Sequence, residues 1–346
     1  MLRLHPALLV HTTRLAGGRR LIAQVSADRP PLVLNSPLAL TALNALPAEF
    51  ESGDALEAWL SEGLAEEGAD ALWSAFEQAG LFCPSNGDSW WHRLEWREAF
   101  AYHHATRDYP FLDMAKPEAF EADRTRMDEY AGEAEGPPLF AQVESDGAVE
   151  LSRLSDGESP DDRLSSLDDA ARRGHEGLSL ILDVCYGERG RMLSTAGEVV
   201  FKSIPSGGGR HPTEVHVAVF DVPGVPAGVY HYDVEKHELA RLYSGDHRAS
   251  FEGATLDLFR RGDGPPSAAL VLSSRVERAM WRYRDPRSFR AILVDAGHAV
   301  MALRMVARKV GLRALTIREF DESQLADLLR IDRLAQPPLY VATLAP

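Results

Sequence analysis

Residues 204–212 read Ile-Pro-Ser-Gly-Gly-Gly-Arg-His-Pro and run directly into the valine-rich stretch TEVHVAVFDV. Consecutive glycines allow positive φ and leave no Cβ in the way. A flat ligand can then lie against bare backbone N–H groups. No Lys-Ser/Thr follows the glycines, so this is not a P-loop. The stretch leads into a strand instead of joining a strand to a helix, so it is not the dinucleotide fingerprint either. A purely structural turn uses the same residues, and composition alone leaves both readings open. His211, just after the glycines, could touch a ligand. Other reactive side chains carry less information. His103 and His104 are adjacent and cannot share a helix face as metal ligands, so no metal site is expected. Cys83 and Cys185 are far apart and have no C-x-x-C partner, which reads as two reduced thiols of a cytoplasmic protein.

The elements around the glycine loop suggest an α+β fold with one central sheet. The expected strands are VHVAVF, GVYHYD with the segment after it, SAALVLSSRV, RALTIREF and PPLYVATLA. RAILVDAGHAVMALRMVARKVGL reads as strand-like at its start and as a long helix after Asp295. Asp295 would be the N-cap, Ala299, Leu303 and Val306 the buried stripe, and Gly311 the stop. His298 reads as packed or hydrogen-bonded. DDRLSSLDDAARRG and EGLSLILDVCYG read as helices. Nearer the start, LLVHTT, LIAQVS and PPLVLN look like short strands. Three helices follow: one from Pro37, capped by Ser36, a second at ALEAWLSEGLA, and a third burying Ala71, Trp73, Phe76 and Ala79. Strands with three short helices suggest a winged-helix-like module over 1–90. An aromatic, partly helical connector and an acidic linker then fill 91–150, with the boundary near 145, and 151–346 forms the second domain.

Composition narrows the function. The chain has 346 residues, enough for two domains, with 45% apolar and 26% charged residues. A net charge of −15 argues against a nucleic-acid or anionic-membrane surface, so the N-terminal module is expected to hold a peptide and not DNA. The opening segment is broken by Pro6 and does not read as a signal peptide. No window is apolar enough to span a bilayer.

PSGGGRHPTEV, DAGHAVMAL and a closing LYVATL, in that order, resemble the nitroreductase superfamily, most closely the SagB-type dehydrogenases over 150–346. The N-terminal part, with WHRLEWREAFAYHHAT, is similar to the subgroup of peptide-maturation dehydrogenases. The resemblance implies a nitroreductase-like FMN domain with a central, mostly antiparallel sheet flanked by helices. It also implies a homodimer with FMN held between subunits, and a ribosomally made precursor peptide as substrate. A cyclodehydratase or another maturation enzyme would be a partner.

The resemblance also implies roles for individual residues. Pro205, Ser206, Gly207 and Gly208 match the loop along the flavin ring and ribityl chain. Arg210 matches a basic position that pairs with phosphate or the ring's polar edge. Arg172 and Arg173 stand where the superfamily carries an Arg-Arg-Ser phosphate grip, with Gly174 replacing Ser. Both could equally be helix-end charges. Thr316, Ile317 and Arg318 match the strand near the flavin N5 edge. The family's catalytic Lys-Tyr pair appears here as Arg282-Tyr283. Arg stays charged, so Arg282 can only orient substrate or stabilise negative charge. Tyr283 could act as the base if neighbouring cations lower its pKa from ~10. The implied reaction oxidises an azoline to an azole, or dehydrogenates a related Cα–Cβ bond. Two rivals remain: an NAD(P)H-dependent nitro- or ene-reductase of small molecules, and a flavin-free leader-binding scaffold.

Overall fold

The computed structural model describes every residue except 1, 6, 16–17, 26–28, 35–36, 48, 64–65, 85–89, 108–110, 195–196 and 256–263. The chain divides into two compact units, Met1–Asp113 and Met114–Pro346.

In the first unit, β1 (Leu2–Leu4), β2 (Leu9–Leu15), β3 (Gly18–Gln24) and β4 (Leu32–Val33) precede α1 (Pro37–Ala45), α2 (Gly53–Gly63) and α3 (Glu66–Gln78). β5 (Phe82–Pro84), α4 (Trp90–Arg93) and α5 (Arg97–Thr106) follow. β2, β3 and β4 form an antiparallel sheet, and β1 pairs with β5. α1 starts at Pro37, whose missing N–H costs nothing at a helix start. Ser36 lies outside the described residues. Ala69, Phe76 and Ala79 join Leu56 and Leu60 in one core cluster. Ala71, expected on that face, is exposed because it is five residues before Phe76 and so off the i, i+3, i+4 stripe.

The second unit starts with α6 (Pro117–Glu133), β6 (Ala148–Glu150), α7 (Pro160–Ser166), α8 (Asp169–Arg173), α9 (His175–Tyr186) and the hairpin β7 (Glu188–Ser194)–β8 (Gly197–Lys202). A single turn of 3₁₀ helix over Gly207–Gly209 leads into β9 (Thr213–Val219), β10 (Gly228–Asp233) and β11 (Glu238–Ser244). The rest is α10 (Arg248–Ala254), β12 (Ala268–Ser274), α11 (Val276–Arg282), α12 (Ser288–Val310), β13 (Arg313–Ile317), α13 (Glu322–Leu329) and β14 (Pro338–Ala345). The seven-stranded sheet runs β13-β14-β12-β9-β10-β11-β6, and every neighbouring pair is antiparallel. Side chains alternate across it. Val215, Val217 and Val219 of β9 pack in one core with α9 and α12. Ala218 packs on the other face with Phe251, Leu325 and Leu329 from α10 and α13.

Two sequence expectations fail here. Residues 291–295 are not a strand. Ile292, Asp295, Ala296, Ala299, Leu303, Ala307 and Val310 are buried at helical spacing, so α12 extends back to Ser288. Asp295 therefore lies in mid-helix, not at the N-cap. Gly311 closes the helix with φ +91°, as expected. The unit boundary falls at 113, not near 145. The reason is that α6 packs on α11: Arg282 pairs with Asp123, Arg284 with Glu133, and the Trp281 indole N–H donates to the Ala134 carbonyl.

Candidate active site

The glycine turn is latched to α12. The Ser206 hydroxyl donates to the Asp295 carboxylate at 2.6 Å, and the Gly207 N–H donates to the same carboxylate at 3.2 Å. The His211 N–H donates back to Ser206 Oγ at 2.9 Å. Burial raises Asp295, against the hydrogen bonds from Ser206 and Gly207 that favour its charged form. A buried acidic group inside α12 thus holds the turn. His298, expected to be packed, is exposed on the same helix.

Gly208 and Gly209 have φ of +59° and +64°, in the left-handed region where glycine is favoured. A Cβ on Gly208 would overlap the Tyr283 hydroxyl. Tyr283 can therefore lie against bare backbone only because residue 208 has no side chain. The Arg282 guanidinium sits 4.8 Å from the centre of the Tyr283 ring and is tied to the buried Asp123 at 2.8 and 2.9 Å. Arg210 donates through Nε to the Gly208 carbonyl, and its Nη2 is buried without a hydrogen-bond partner. Burial lowers its pKa, with the nearby Tyr283 opposing.

Pro205, Ser206, Gly207, Gly208, Arg210, Arg282 and Tyr283 are thus brought together. Thr316, Ile317 and Arg318 lie at the same end of the sheet. β12 ends where β9 begins, at Ser274 opposite Thr213, and Ile317 of β13 pairs with Val341 near the start of β14. Three strand spacings, roughly 14 Å, separate β13 from β9. Ile317 is buried in the core, Thr316 is half-buried and Arg318 is exposed. Arg172 and Arg173 lie at the opposite end. The His175 N–H, just past α8, donates to the Pro223 carbonyl beyond the far end of β9. A seven-residue strand, roughly 20 Å long, intervenes within one chain.

Sequence reasoning missed a buried ionic cluster behind the turn. Arg278 pairs with Glu214 at 2.6 Å and donates to the His211 carbonyl at 3.0 Å and the Pro138 carbonyl at 3.0 Å. Glu214 accepts from His231 Nε2 at 2.8 Å. Burial alone would raise Glu214, but Arg278 and then His231 hold it well below the usual carboxylate range. Burial also pushes the half-buried Lys202 down to about 8, with Glu214 opposing. The signal was present: Glu214 and His216 stand two apart in an apolar strand, on one face.

This cluster predicts acid sensitivity. Burial pushes both His211 and His216 from 6.5 to about 3. Folded imidazoles then bind fewer protons than unfolded ones between those values, so stability falls as pH drops through that window. Glu214, with its folded pKa depressed, adds a further loss below 4.5, where the unfolded carboxylate protonates. At pH 5 the two histidines together should cost about 2–4 kcal/mol relative to pH 7.5. Urea unfolding at the two pH values checks this, and equal midpoints would contradict it.

A seven-stranded antiparallel sheet between helical layers, with a glycine turn feeding its central strand, defines a nitroreductase-type fold. The chain belongs to the Nitroreductase family, whose family model matches residues 160–344. Trifolitoxin-processing protein TfxB of Rhizobium leguminosarum bv. trifolii is 36% identical over 142 residues, which is 40% of this chain and 38% of TfxB. The match thus spans well under half of that relative. A Methanocaldococcus jannaschii protein, MJ1384, whose name places it among the nitroreductases, is 31% identical over 157 residues, covering 44% of this chain and 73% of that protein. A solved nitroreductase-type structure from Anabaena variabilis ATCC 29413 superposes with a TM-score of 0.50 at 24% identity, over 65% of this chain and 45% of that one. Among the described residues no cluster of metal ligands occurs, and no helix is long and apolar enough to cross a membrane.

Proposed function

We propose that the chain is an FMN-dependent dehydrogenase acting on a ribosomally synthesised, already modified peptide. The observation that carries this reading is the Tyr283 hydroxyl resting against the side-chain-free Gly208, with Arg210 beside it. Likeness to a relative named for trifolitoxin processing supports the peptide as substrate class.

The residues present fit the cofactor. The Gly207–Gly209 backbone carries no side chain and has Tyr283 against Gly208, and the unpartnered Arg210 Nη2 is a donor for an anionic or carbonyl edge. Pro205, Ser206, Gly207 and Gly208 would flank the ring, with Thr316 and Arg318 at the same sheet end, while the Ile317 side chain packs in the core. Arg172 and Arg173 lie too far from the turn to grip the phosphate within one chain. The outer face of α12 supports a homodimer: Phe289, Leu293, Val294, Met301 and Met305 form an exposed apolar stripe. When bound, FMN supplies the hydride acceptor. Tyr283, as the phenolate, would take the Cα proton of the modified residue while FMN would accept hydride from the neighbouring carbon, so an azoline would become an azole or a Cα–Cβ single bond would become double. Arg282, committed to Asp123, holds the Tyr283 ring and its charge environment and does not reach for substrate. The first unit would bind the leader by strand addition, for β2 pairs only with β3 among the described strands and exposes Leu9 and Val10. A cytoplasmic setting with a cyclodehydratase partner completes the reading.

The test is turnover of an azoline-bearing peptide by FMN-loaded protein, read as loss of two hydrogens by mass spectrometry. Tyr283→Phe should lower kcat by about 100-fold or more while FMN binding is retained. Unchanged turnover in that variant would remove Tyr283 as the base. The coverage of the M. jannaschii relative favours a second reading, a small-molecule reductase, which instead predicts rapid NAD(P)H-driven reduction of nitroaromatics.

A further inference from the structure

The family model matches residues 160–344, so α6 lies outside it. Residues 123–138 nevertheless reach the run around Tyr283 at Arg278, Trp281, Arg282 and Arg284. The Arg278 guanidinium donates to the Pro138 carbonyl at 3.0 Å, and the Trp281 indole N–H donates to the Ala134 carbonyl at 3.3 Å. Arg282 pairs with Asp123. Arg284 pairs with Glu133 and lies 3.7 Å from the centre of the Tyr130 ring. Tyr283 stands inside this run, with its hydroxyl against Gly208.

Hydrophobic burial does not account for this docking. The buried residues of α6 are Asp123 and Met127, one turn apart, and Asp123 is 3% exposed. Taking a carboxylate out of water is expensive, and a buried ion pair returns little net stability. What the pair does provide is a fixed place for Arg282, whose Nη2 donates to both Asp123 oxygens, at 2.8 and 2.9 Å. The same guanidinium is 4.8 Å from the centre of the Tyr283 ring. Arg210 of the glycine turn is a second cation facing the phenol. Arg284, the next residue, is exposed and engaged by Glu133. The phenol thus meets two cations, Arg210 and Arg282, and Asp123 neutralises one of them.

We propose that Asp123 is a positioning residue of this site: through Arg282 it keeps the Tyr283 ring against Gly208 and offsets the positive charge that the phenol meets. This rests on the reading of Tyr283 as the reacting group, and it makes α6 a working part of the site. Asn at position 123 still accepts from Arg282 but carries no charge. Arg282 then acts undiminished on the phenol, and the phenolate forms at lower pH.

NMR titration of ¹³Cζ-tyrosine-labelled protein tests this without FMN or substrate. The Tyr283 resonance is the one missing from Tyr283→Phe. Its titration midpoint in Asp123→Asn should lie about 0.5 pH unit or more below that of the parent. Asp123→Glu keeps the carboxylate and should stay closer to the parent. Glu121→Gln removes the same charge from an exposed site on α6 and should shift the midpoint less than half as far. The doubly neutral Asp123→Asn, Arg282→Gln protein keeps an amide pair in place of the ion pair, and its midpoint should lie above that of Asp123→Asn. In Asp123→Ala, which frees Arg282, the nuclear Overhauser contact between the Tyr283 ring and Gly208 should weaken. An unchanged midpoint in Asp123→Asn, an equal shift in Glu121→Gln, or a double variant no higher than Asp123→Asn would overturn the proposal. Midpoints that move as stated, beside normal turnover by Tyr283→Phe, would remove the base and leave the positioning by Asp123 standing.

Discussion

Gly208→Ala is expected to abolish FMN binding while leaving the chain folded. Two effects combine. Residue 208 has φ +59°, where a Cβ costs about 1–2 kcal/mol. The same Cβ overlaps the Tyr283 hydroxyl, so the turn or the tyrosine must move. The turn cannot yield freely, because Ser206 and Gly207 are tied to Asp295. Tyr283 must then leave its place against residue 208, where the proposed ring is flanked. FMN affinity should fall about a hundredfold or more, with a melting shift of only a few degrees. Gly132→Ala, on α6 with open space around it, is the control and should bind FMN normally. A Gly208→Ala protein that binds FMN like the parent would contradict this placement of the ring.

Arg278→Met should be strongly destabilising. Both partners of the Arg278–Glu214 pair are 5% exposed, and removing the cation strands a buried carboxylate. Breaking such a pair costs about 3–5 kcal/mol. The carbonyls of His211 and Pro138 also lose their donor. Adding Glu214→Gln should restore a large part of the loss, since the neutral amide tolerates burial. Urea unfolding of the single and double variants measures both effects. Equal stability of the two variants would mean that the ion pair contributes little.

The glycine loop and the strand after it could be read directly from the sequence, because three glycines before an apolar run have few other uses. Gly311 could be read too, since only a left-handed stop suits a glycine there. The start of α12 could not. The run Ile292-Leu293-Val294 looks like a strand locally, and only packing against β9 and α9 reveals its helical period. Asp295 was misread with it, for a mid-helix carboxylate has meaning only once the glycine turn lies beside it. Arg282 was assigned toward substrate because Asp123 is distant in sequence, and the pairing exists only through the docking of α6 on α11. Arg172 and Arg173 were drawn toward the loop by motif order alone, while the fold sets them at the far end of β9.

Equilibrium titration of the purified protein with FMN, followed by the quenching of flavin fluorescence, tests the central claim most directly. One FMN per chain, bound by paired subunits, is the predicted result. A protein that stays monomeric and leaves the fluorescence of added FMN unquenched would contradict it.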